Sequence, residues 1–405
     1  MPELNDSMIN VNDALASVLQ NIKRLDFEEV SIAKARDRVL AVDLISRLTQ
    51  PASDVSAMDG YAVNANDLNS VPVTLTQIGE SAAGKRFNGK INSGQTVRIF
   101  TGASVPAGAD AIVIQEHTEK FEKEIIIKEK VNTGKYIRKA GQDFKKGQKL
   151  LKAGMRFNSR NIGLAAAMNI PWLKVTRKPR IAIISTGNEL VLPGEEMSSD
   201  QIISSNSLSL AAFICENGGV PVNLGIVKDD PHLLKEMASR LSGVDMLITI
   251  GGASVGDYDL VKSVLVNEGL SITFSQVAMR PGKPLIFGNI SGIPMLGLPG
   301  NPVSAGITAL LFLRPAINKM LGTSNIFHKV EIAVLGCNLN QNDNRQDYLR
   351  AKTSLSKEGK ITATPFDKQD SSLLVKYAEA QCLVIRPPFA KASTAGEAVK
   401  IIRLD

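Results

Sequence analysis

The sequence predicts an α/β multidomain protein with a central parallel-sheet domain. Three stretches, at 181–190, 245–259 and 294–313, each run from an apolar strand into a Gly-rich turn and then a helix. A β-rich run that stops at glycine and resumes with helical spacing is typical of a strand–loop–helix unit in such a sheet. After residue 320 short alternating strands predict a small C-terminal β-barrel or sandwich. The length of 405 residues exceeds one typical core, so three or four domains are expected.

The remaining elements follow from periodicity and turn residues. Apolar residues recur at helical spacing over 11–22, which predicts an amphipathic opening helix. Residues 71–143 contain β-rich runs separated by Gly, Pro and Asn, and Ser159 is expected to cap an Ala-rich helix. The predicted domains are an elongated N-terminal domain of residues 1–45 plus 144–176, an inserted β-rich domain of residues 46–143, a central α/β domain of residues 177–325 and a C-terminal β-barrel domain of residues 326–405.

The composition favours anionic ligands and argues against several function classes. Net charge is +7 and the pI is about 9.2. The basic stretch 120–180 has few aromatic residues and no reader motif, so we expect a solvated basic face and no nucleic-acid partner. The three cysteines and three histidines are scattered, which indicates neither a zinc site nor a His-based triad. The charge-free stretch 284–313 is interrupted by four prolines and no signal peptide is recognisable, so a cytoplasmic protein without a membrane span is expected.

The three Gly-rich loops predict a ligand site at the carboxyl ends of the central strands. In parallel sheets these loops face one crevice, and helix N-termini with closely spaced backbone N–H groups suit anions there. The polar side chains in these loops are Glu189, Ser254, Asp257, Asp259, Asn301 and Ser304. Helix capping accounts equally well for the polar residues of any one loop, but three such loops in succession favour a site.

Further charged residues are expected near this crevice. Asp229 ends a strand, because Asp230 occupies the N-cap position of the next helix. Arg280 and Lys283 share a Pro-Gly loop, for which an ordinary surface turn is the alternative, as a structural turn is for Asp59. The carboxylates, Asp143 included, would repel an anion and so imply a bridging Mg²⁺ or proton transfer, whereas the cations, Arg138 included, would hold an oxyanion. These residues predict Mg²⁺-assisted phosphoryl or oxyanion transfer without specifying a substrate.

Eight motifs stand between residues 56 and 305. They are SAMDGYAV at 56–63, IFTGASVPAGADAIV at 99–113, STGNEL at 185–190, QIISSN at 201–206, GIVKDD at 225–230, GGASVGDYD at 251–259, MRPGKP at 279–284 and GLPGNPVSA at 297–305. Together and in this order they resemble the molybdopterin molybdenumtransferase family, the MoeA type related to the E domain of gephyrin. GLPGNP or GGxSxG alone would be a weak signal, but the set of eight is specific.

The resemblance implies a homodimer of L-shaped, four-domain subunits with a MogA-like central domain. It implies insertion of molybdenum from molybdate into adenylylated molybdopterin, with Mg²⁺-dependent release of AMP, and molybdopterin adenylyltransferase as the upstream partner. The site would lie between the central domain of one subunit and the MDGYAV-bearing domain of the other. Carried over by motif, the catalytic residues are Asp59, Thr101, Asp143, Glu189, Asp229 and Asp259, with Glu189 and Asp259 as metal ligands. The substrate-binding residues are Arg138, Thr186, Gly187, Asn206, Gly251, Gly252, Ser254, Arg280, Lys283, Gly300, Asn301, Ser304 and Ser371.

Two departures from the family pattern concern oxyanion contacts. Arg280 and Gln276 stand where some relatives have Lys, and Arg favours bidentate geometry. One alternative is an enzyme that shares only the central domain, such as the molybdopterin adenylyltransferase or a pyridine-nucleotide amidase, but MDGYAV and FTGASVPAGAD count against it. The other alternative is a non-enzymatic, gephyrin-like scaffold, for which no additional N-terminal domain is recognisable. The residues make no distinction between molybdate and tungstate.

Overall fold

The computed structural model describes residues 8–228, 230, 232, 236, 241–251, 266, 269–356 and 359–404. Its α-helices are Val11–Gln20, Ser159–Ala167, Asn206–Glu216, Pro302–Thr308, Arg314–Leu321 and Leu374–Ala378. A π-helical segment, Ala309–Leu313, joins the fourth and fifth of these. Within this part of the chain no helix has the length and apolar character that crossing a bilayer requires.

A six-stranded sheet forms the central domain. Its strands lie in the order Val220–Val227, Arg180–Thr186, Met246–Ile250, Ile293–Leu298, Pro284–Ile290 and Leu270–Gln276. The first four are parallel, as predicted, but the last two run antiparallel to their neighbours. A tight hairpin explains this edge: the Gly292 N–H donates to Asn289 Oδ1 at 2.8 Å, and so short a connection cannot join parallel strands.

Alternate residues of the strand Arg180–Thr186 enter two cores on opposite faces of this sheet. Ile181 and Ile183 belong to the larger core, which also contains the opening helix and the helices of residues 302–321. Ala182 and Ile184 belong to a smaller core on the other face. Because both faces are covered, the strand is an unbroken apolar run, and its polar loop begins only at the carboxyl end.

The N-terminal domain is closed by strands that are distant in sequence. Phe27–Ser31 pairs with Trp172–Thr176, and Leu44–Ile45 pairs with Lys149–Leu151. Between these pairs lies the inserted β-rich domain, whose sheet has the order Ala111–Ile114, Gly60–Val63, Gln95–Ile99, Val73–Ser81, Glu124–Ile127 and Thr118–Phe121. The chain enters and leaves this domain through one antiparallel pair, Val55–Ser56 with Ile137–Arg138.

The helix Ser159–Ala167 begins one residue earlier than the predicted cap requires. Asn158, with an extended backbone, is the N-cap: its Oδ1 accepts from the Asn161 N–H at 3.0 Å. Asn161 Oδ1 in turn accepts from the Asn158 N–H at 3.1 Å, which completes a capping box. The prediction that Ser159 caps this helix is therefore wrong, because Asn158 precedes it and satisfies the same donors.

The C-terminal region is a closed five-stranded barrel, as predicted. Its strands lie in the order Gln346–Leu355, Ile361–Pro365, Val330–Leu335, Ala398–Arg403 and Cys382–Arg386, and the last pairs back with the first. A short strand of the central domain, Met279–Arg280, pairs in parallel with the first of these strands. The barrel therefore adjoins the carboxyl ends of the central strands, beside the expected ligand site.

Candidate functional site

A cavity of about 650 Å³ lies at the carboxyl ends of the central strands. The predicted site residues that line it are Thr186, Glu189, Asn206, Gly251, Gly300 and Asn301. They come from the loops after two parallel strands, from the start of helix Asn206–Glu216 and from the loop before helix Pro302–Thr308. The structure thus brings together residues that are more than 100 positions apart in the sequence, as the crevice of a parallel sheet is expected to do.

A glycine without a side chain leaves part of the cavity wall formed by the backbone. Gly251 has φ +89°, and a Cβ there would lie 2.6 Å from the Thr186 carbonyl oxygen. Its N–H donates to the Leu298 carbonyl at 3.2 Å, which fixes the loop against the next strand. No side chain fits at Gly251 without moving this backbone. The cavity therefore presents peptide groups, which suit phosphate oxygens and flat rings.

Two asparagines fasten the third loop to its surroundings. Asn206 Nδ2 donates to the Gly300 carbonyl at 2.6 Å. Asn301 occupies the N-cap position of helix Pro302–Thr308 but makes no capping hydrogen bond; its Nδ2 donates to Ser371 Oγ at 2.9 Å. The Val303 N–H donates to the Ser371 carbonyl at 3.2 Å. Capping therefore does not explain Asn301, which links the central domain to a barrel segment whose next residue also lines the cavity.

Glu189 is the acidic residue in the described wall of the cavity. Its carboxylate lies against Gly187, where φ is +147° and a Cβ would meet Glu189 Oε2 at 2.5 Å. The Glu189 side chain makes no hydrogen bond or ion pair with any residue of the described ranges. An exposed carboxylate without a protein partner is free to bind a hard cation or to exchange protons with a ligand.

The two predicted cations of the Pro-Gly loop have different surroundings. Arg280 does not line the cavity: its guanidinium contacts both carboxylate oxygens of Asp347, at 2.8 and 2.9 Å, and lies 3.3 Å from Asp343. The hydrogen bonds to Asp347 raise the pKa of Arg280. Lys283 is half-buried, precedes the cavity residue Pro284 and has no side-chain partner in the part of the chain described here. Lys283 is thus the cation of this loop that remains available to a ligand.

Arg350 is a candidate that the sequence analysis missed. It is 1% exposed, and none of its three guanidinium nitrogens has a hydrogen-bond partner among the described residues. Burial lowers its pKa, whereas Asp370 and Tyr377 raise it. Gln369 Oε1 accepts from the Arg350 N–H and Gln369 Nε2 donates to the Arg350 carbonyl, each at 2.9 Å, which ties Arg350 to the segment that leads to Ser371. Burying a guanidinium without hydrogen-bond partners costs free energy, so this group is well suited to binding an anion. The sequence signal that could have identified it was an arginine within an apolar barrel strand.

Four other predicted residues are exposed and are not part of the described wall of this cavity: Asp59, Thr101, Arg138 and Asp143. Asp59 Oδ1 accepts from the Thr101 N–H at 2.7 Å and from its hydroxyl at 2.8 Å, and these bonds lower the pKa of Asp59. Arg98 lies between the rings of Tyr61 and Phe100 and donates to the Gly60 carbonyl at 3.2 Å, next to Asp59. The Asp59–Thr101 pair is therefore held in one geometry at the surface.

Two further predicted residues, Ser304 and Gly187, are not part of the described cavity wall. Ser304 is buried inside its helix, where its carbonyl accepts from Thr308 Oγ1 at 2.7 Å. Gly187 adjoins the cavity through Glu189. The others, Asp229, Gly252, Ser254 and Asp259, lie outside the described residues.

Comparison with known proteins identifies the family. Three family models match the chain in succession: the MoeA N-terminal region (domain I and II) over residues 9–169, the probable molybdopterin binding domain over 182–319 and the MoeA C-terminal region (domain IV) over 333–404. The molybdopterin molybdenumtransferase of Nostoc sp. is 34% identical over 98% of this chain and 94% of its own length. This chain belongs to the molybdopterin molybdenumtransferase family.

Other members support the same assignment across the whole chain. The molybdopterin molybdenumtransferase of Haemophilus influenzae is 32% identical over 97% of this chain and 98% of its own length. A crystal structure of a molybdopterin biosynthesis MoeA protein from Pyrococcus horikoshii superposes with a TM-score of 0.85 at 32% identity, covering 98% of this chain and all of that one. Because these matches include the N-terminal and C-terminal regions, an enzyme that shares only the central domain does not account for the chain.

Proposed function

We propose that this protein inserts molybdenum from molybdate into adenylylated molybdopterin and releases AMP in the cavity at the carboxyl ends of the central strands. The observation that carries the proposal is the convergence of Glu189, the backbone of Gly251 and the Asn301–Ser371 link in one cavity of about 650 Å³. A cavity of this size takes a drug-sized ligand. Family membership supplies the reaction class, and these residues supply its chemistry.

We assign the charged residues near the cavity to two functions, anion binding and proton transfer. Lys283, whose side chain lacks a described protein partner, would hold the anionic oxygens of molybdate or of the substrate phosphates, and the buried guanidinium of Arg350 would add positive charge. Molybdate must lose oxo groups as water when the dithiolene sulfurs replace them, and that loss consumes protons. Glu189, exposed in the cavity wall, is positioned to supply and receive such protons.

The donor set of the cavity fits Mg²⁺ that is shared with the substrate. Mg²⁺ is commonly bound by one or two carboxylates together with waters and substrate phosphates, without a dedicated protein cage. Glu189 provides one such carboxylate, and Asp259 is the expected second. The described residues contain no group of three or more His, Cys, Asp or Glu side chains suited to a metal ion. When bound, Mg²⁺ would offset the negative charge on the phosphates.

The proposal includes a homodimer in which the Asp59–Thr101 pair of one subunit completes the cavity of the other. The pair is exposed and fixed, yet absent from the described wall of its own chain's cavity. Exposed apolar side chains occur in this part of the chain: Ile202 and Ile203 line the cavity, and Leu192 and Leu208 are exposed in the adjoining sequence. Large exposed apolar patches mark interaction sites.

The substrate indicates which reaction must precede this one. Adenylylated molybdopterin must come from an adenylyl transfer to molybdopterin, so a molybdopterin adenylyltransferase is the proposed upstream partner. The three cysteines, Cys215, Cys337 and Cys382, form no disulfide among the described residues. Reduced cysteines agree with a reducing compartment, and the proposed location is the cytoplasm.

The test is AMP release and formation of the metallated cofactor by purified protein with Mg²⁺, with and without molybdate. We expect molybdate-dependent AMP release by the wild type and a loss of at least about a hundredfold in Glu189→Gln, because general acid–base groups contribute that much or more. The control is Glu196→Gln, which changes an exposed carboxylate in the loop after strand Leu190–Val191, outside the described cavity wall. Equal activity of both variants would place the chemistry elsewhere, and AMP release without any dependence on molybdate would reject the proposed reaction.

A further inference from the structure

A second cavity, of about 400 Å³, lies between the last helix of the central domain and the C-terminal barrel. It shares no lining residue with the cavity described above. The residues that line it are Arg314, His328, Lys329, Glu331, Ile402 and Arg403. Arg314 is the first residue of helix Arg314–Leu321, whereas Glu331 and Arg403 belong to adjacent barrel strands. The cavity therefore joins two domains.

Positive charge exceeds negative charge in this junction cavity. Glu331 is its one carboxylate among the described residues, and it pairs with Lys329 at 3.1 Å and with Arg403 at 3.3 Å. Arg314 is half-buried and forms no hydrogen bond or ion pair with any described residue. A second arginine lies near enough to sense this charge: burial lowers the pKa of Arg156, Asp37 raises it and Arg314 lowers it. The Arg314 guanidinium therefore has no counter-ion among the residues that the structure describes.

His328 leaves a hydrogen-bonding group unused in the same cavity. Its Nδ1 is buried and has no hydrogen-bond partner in the described part of the chain. Burial, with a smaller effect of Arg314, lowers the pKa of His328 to about 4, so the imidazole is neutral at neutral pH. A neutral imidazole carries one N–H and can donate it to an oxygen acceptor. Leaving a buried polar nitrogen without a partner is unfavourable unless a ligand or water supplies one.

We propose that the junction cavity binds a phosphate-type tetrahedral oxyanion, held by Arg314, Arg403 and His328. Guanidinium groups match such oxygens in charge and in bidentate geometry. A single oxyanion does not fill about 400 Å³, so the ligand is phosphate with its waters or a phosphate monoester. Because Arg314 belongs to the central domain and Arg403 to the barrel, the bound anion would connect the two.

The test uses His328 as a local probe in the full-length protein. The chain has only three histidines, His117, His232 and His328, so NMR of protein labelled at histidine is simple, and His328→Gln assigns the signal. Inorganic phosphate is titrated at constant ionic strength. We expect a saturable shift of the His328 signal in the wild type, with an affinity weakened about tenfold or more in Arg314→Gln, because a charge-assisted bond is lost. Binding in the first cavity would not affect this probe.

The matched control is Arg160→Gln, which removes the same charge from an exposed arginine without a described partner. We expect its affinity for phosphate to equal that of the wild type. Arg314→Lys keeps the positive charge but loses the bidentate guanidinium geometry, so we expect it to bind phosphate with intermediate affinity. This variant keeps the proposal testable if the Gln variant misfolds. Tighter binding of AMP than of phosphate identifies a monoester, and the reverse identifies the free ion. A His328 signal that does not saturate, or equal weakening in Arg314→Gln and Arg160→Gln, overturns the proposal.

Discussion

At the scale of single residues, the Asp59–Thr101 pair shows how two hydrogen bonds favour the charged form of a carboxyl group. The Thr101 N–H and hydroxyl both donate to Asp59 Oδ1 and hold the pKa of Asp59 below its ordinary value. A carboxyl whose pKa is lower in the folded state stabilises the fold above its unfolded pKa. That contribution is lost as the pH falls through the folded value. The pair is therefore charged at any pH at which the enzyme would work.

We predict that Thr101→Val raises the pKa of Asp59 toward its ordinary value, because the hydroxyl donor is lost and the backbone donor remains. The measurement is a carboxyl-carbon NMR titration of Asp59 in both proteins. Thr133→Val is the control, since Thr133 donates to Asp110 and makes no contact with Asp59. An unchanged pKa of Asp59 in Thr101→Val would mean that the backbone bond alone sets it.

Single residues also mark the limit of what the sequence predicts. Motif order led to Glu189 and Asn301, and the structure places both at one cavity. Arg350 was not predicted, because its burial without hydrogen-bond partners results from packing and cannot be read from the spacing of residues in the sequence. Arg280 looked like a free cation, but its partner Asp347 comes from another domain and follows no periodic pattern.

At the scale of elements, the Gly-rich loop after strand Met246–Ile250 controls the shape of the cavity. We predict that Gly251→Ala destabilises the protein by about 2–3 kcal/mol, because left-handed strain adds to a clash with the Thr186 carbonyl. The control is Gly194→Ala: its φ is +92° but nothing lies within 4 Å of the added Cβ. Strain alone costs that variant about 1 kcal/mol. Denaturant unfolding compares the two, and equal losses would show that the close approach at Gly251 is unimportant.

Elements were the part of the fold best predicted from the sequence. Unbroken apolar runs followed by glycine identified the parallel strands, because burial on both faces requires such runs. The antiparallel edge of the sheet was not foreseen, since the hairpin at Gly292 resembles any other Gly turn. The cap of helix Ser159–Ala167 was displaced by one residue because Asn158 and Ser159 are both good caps.

At the scale of the whole molecule, the proposed dimer places residues of two subunits at each site. We predict that a mixture of Asp59→Asn and Glu189→Gln proteins, each inactive alone, regains activity after subunit exchange. Random exchange makes half of the dimers mixed, each with one intact site, so about a quarter of wild-type AMP release is expected. Mixing two batches of Glu189→Gln is the control. If the Asp59–Glu189 mixture stays inactive while exchange is demonstrated, each site is built within one chain.

The paired strands that close the N-terminal domain also dictate an order of assembly on the ribosome. Phe27–Ser31 cannot find its partner until Trp172–Thr176 has been synthesised, whereas the sheet of residues 60–127 contains all of its own strands. Domains generally fold as units as the chain emerges. The inserted domain is thus complete first, and the segment that precedes it in the sequence waits, unpaired, for the chain that follows. In this part of the molecule the order of folding is therefore the reverse of the order of synthesis.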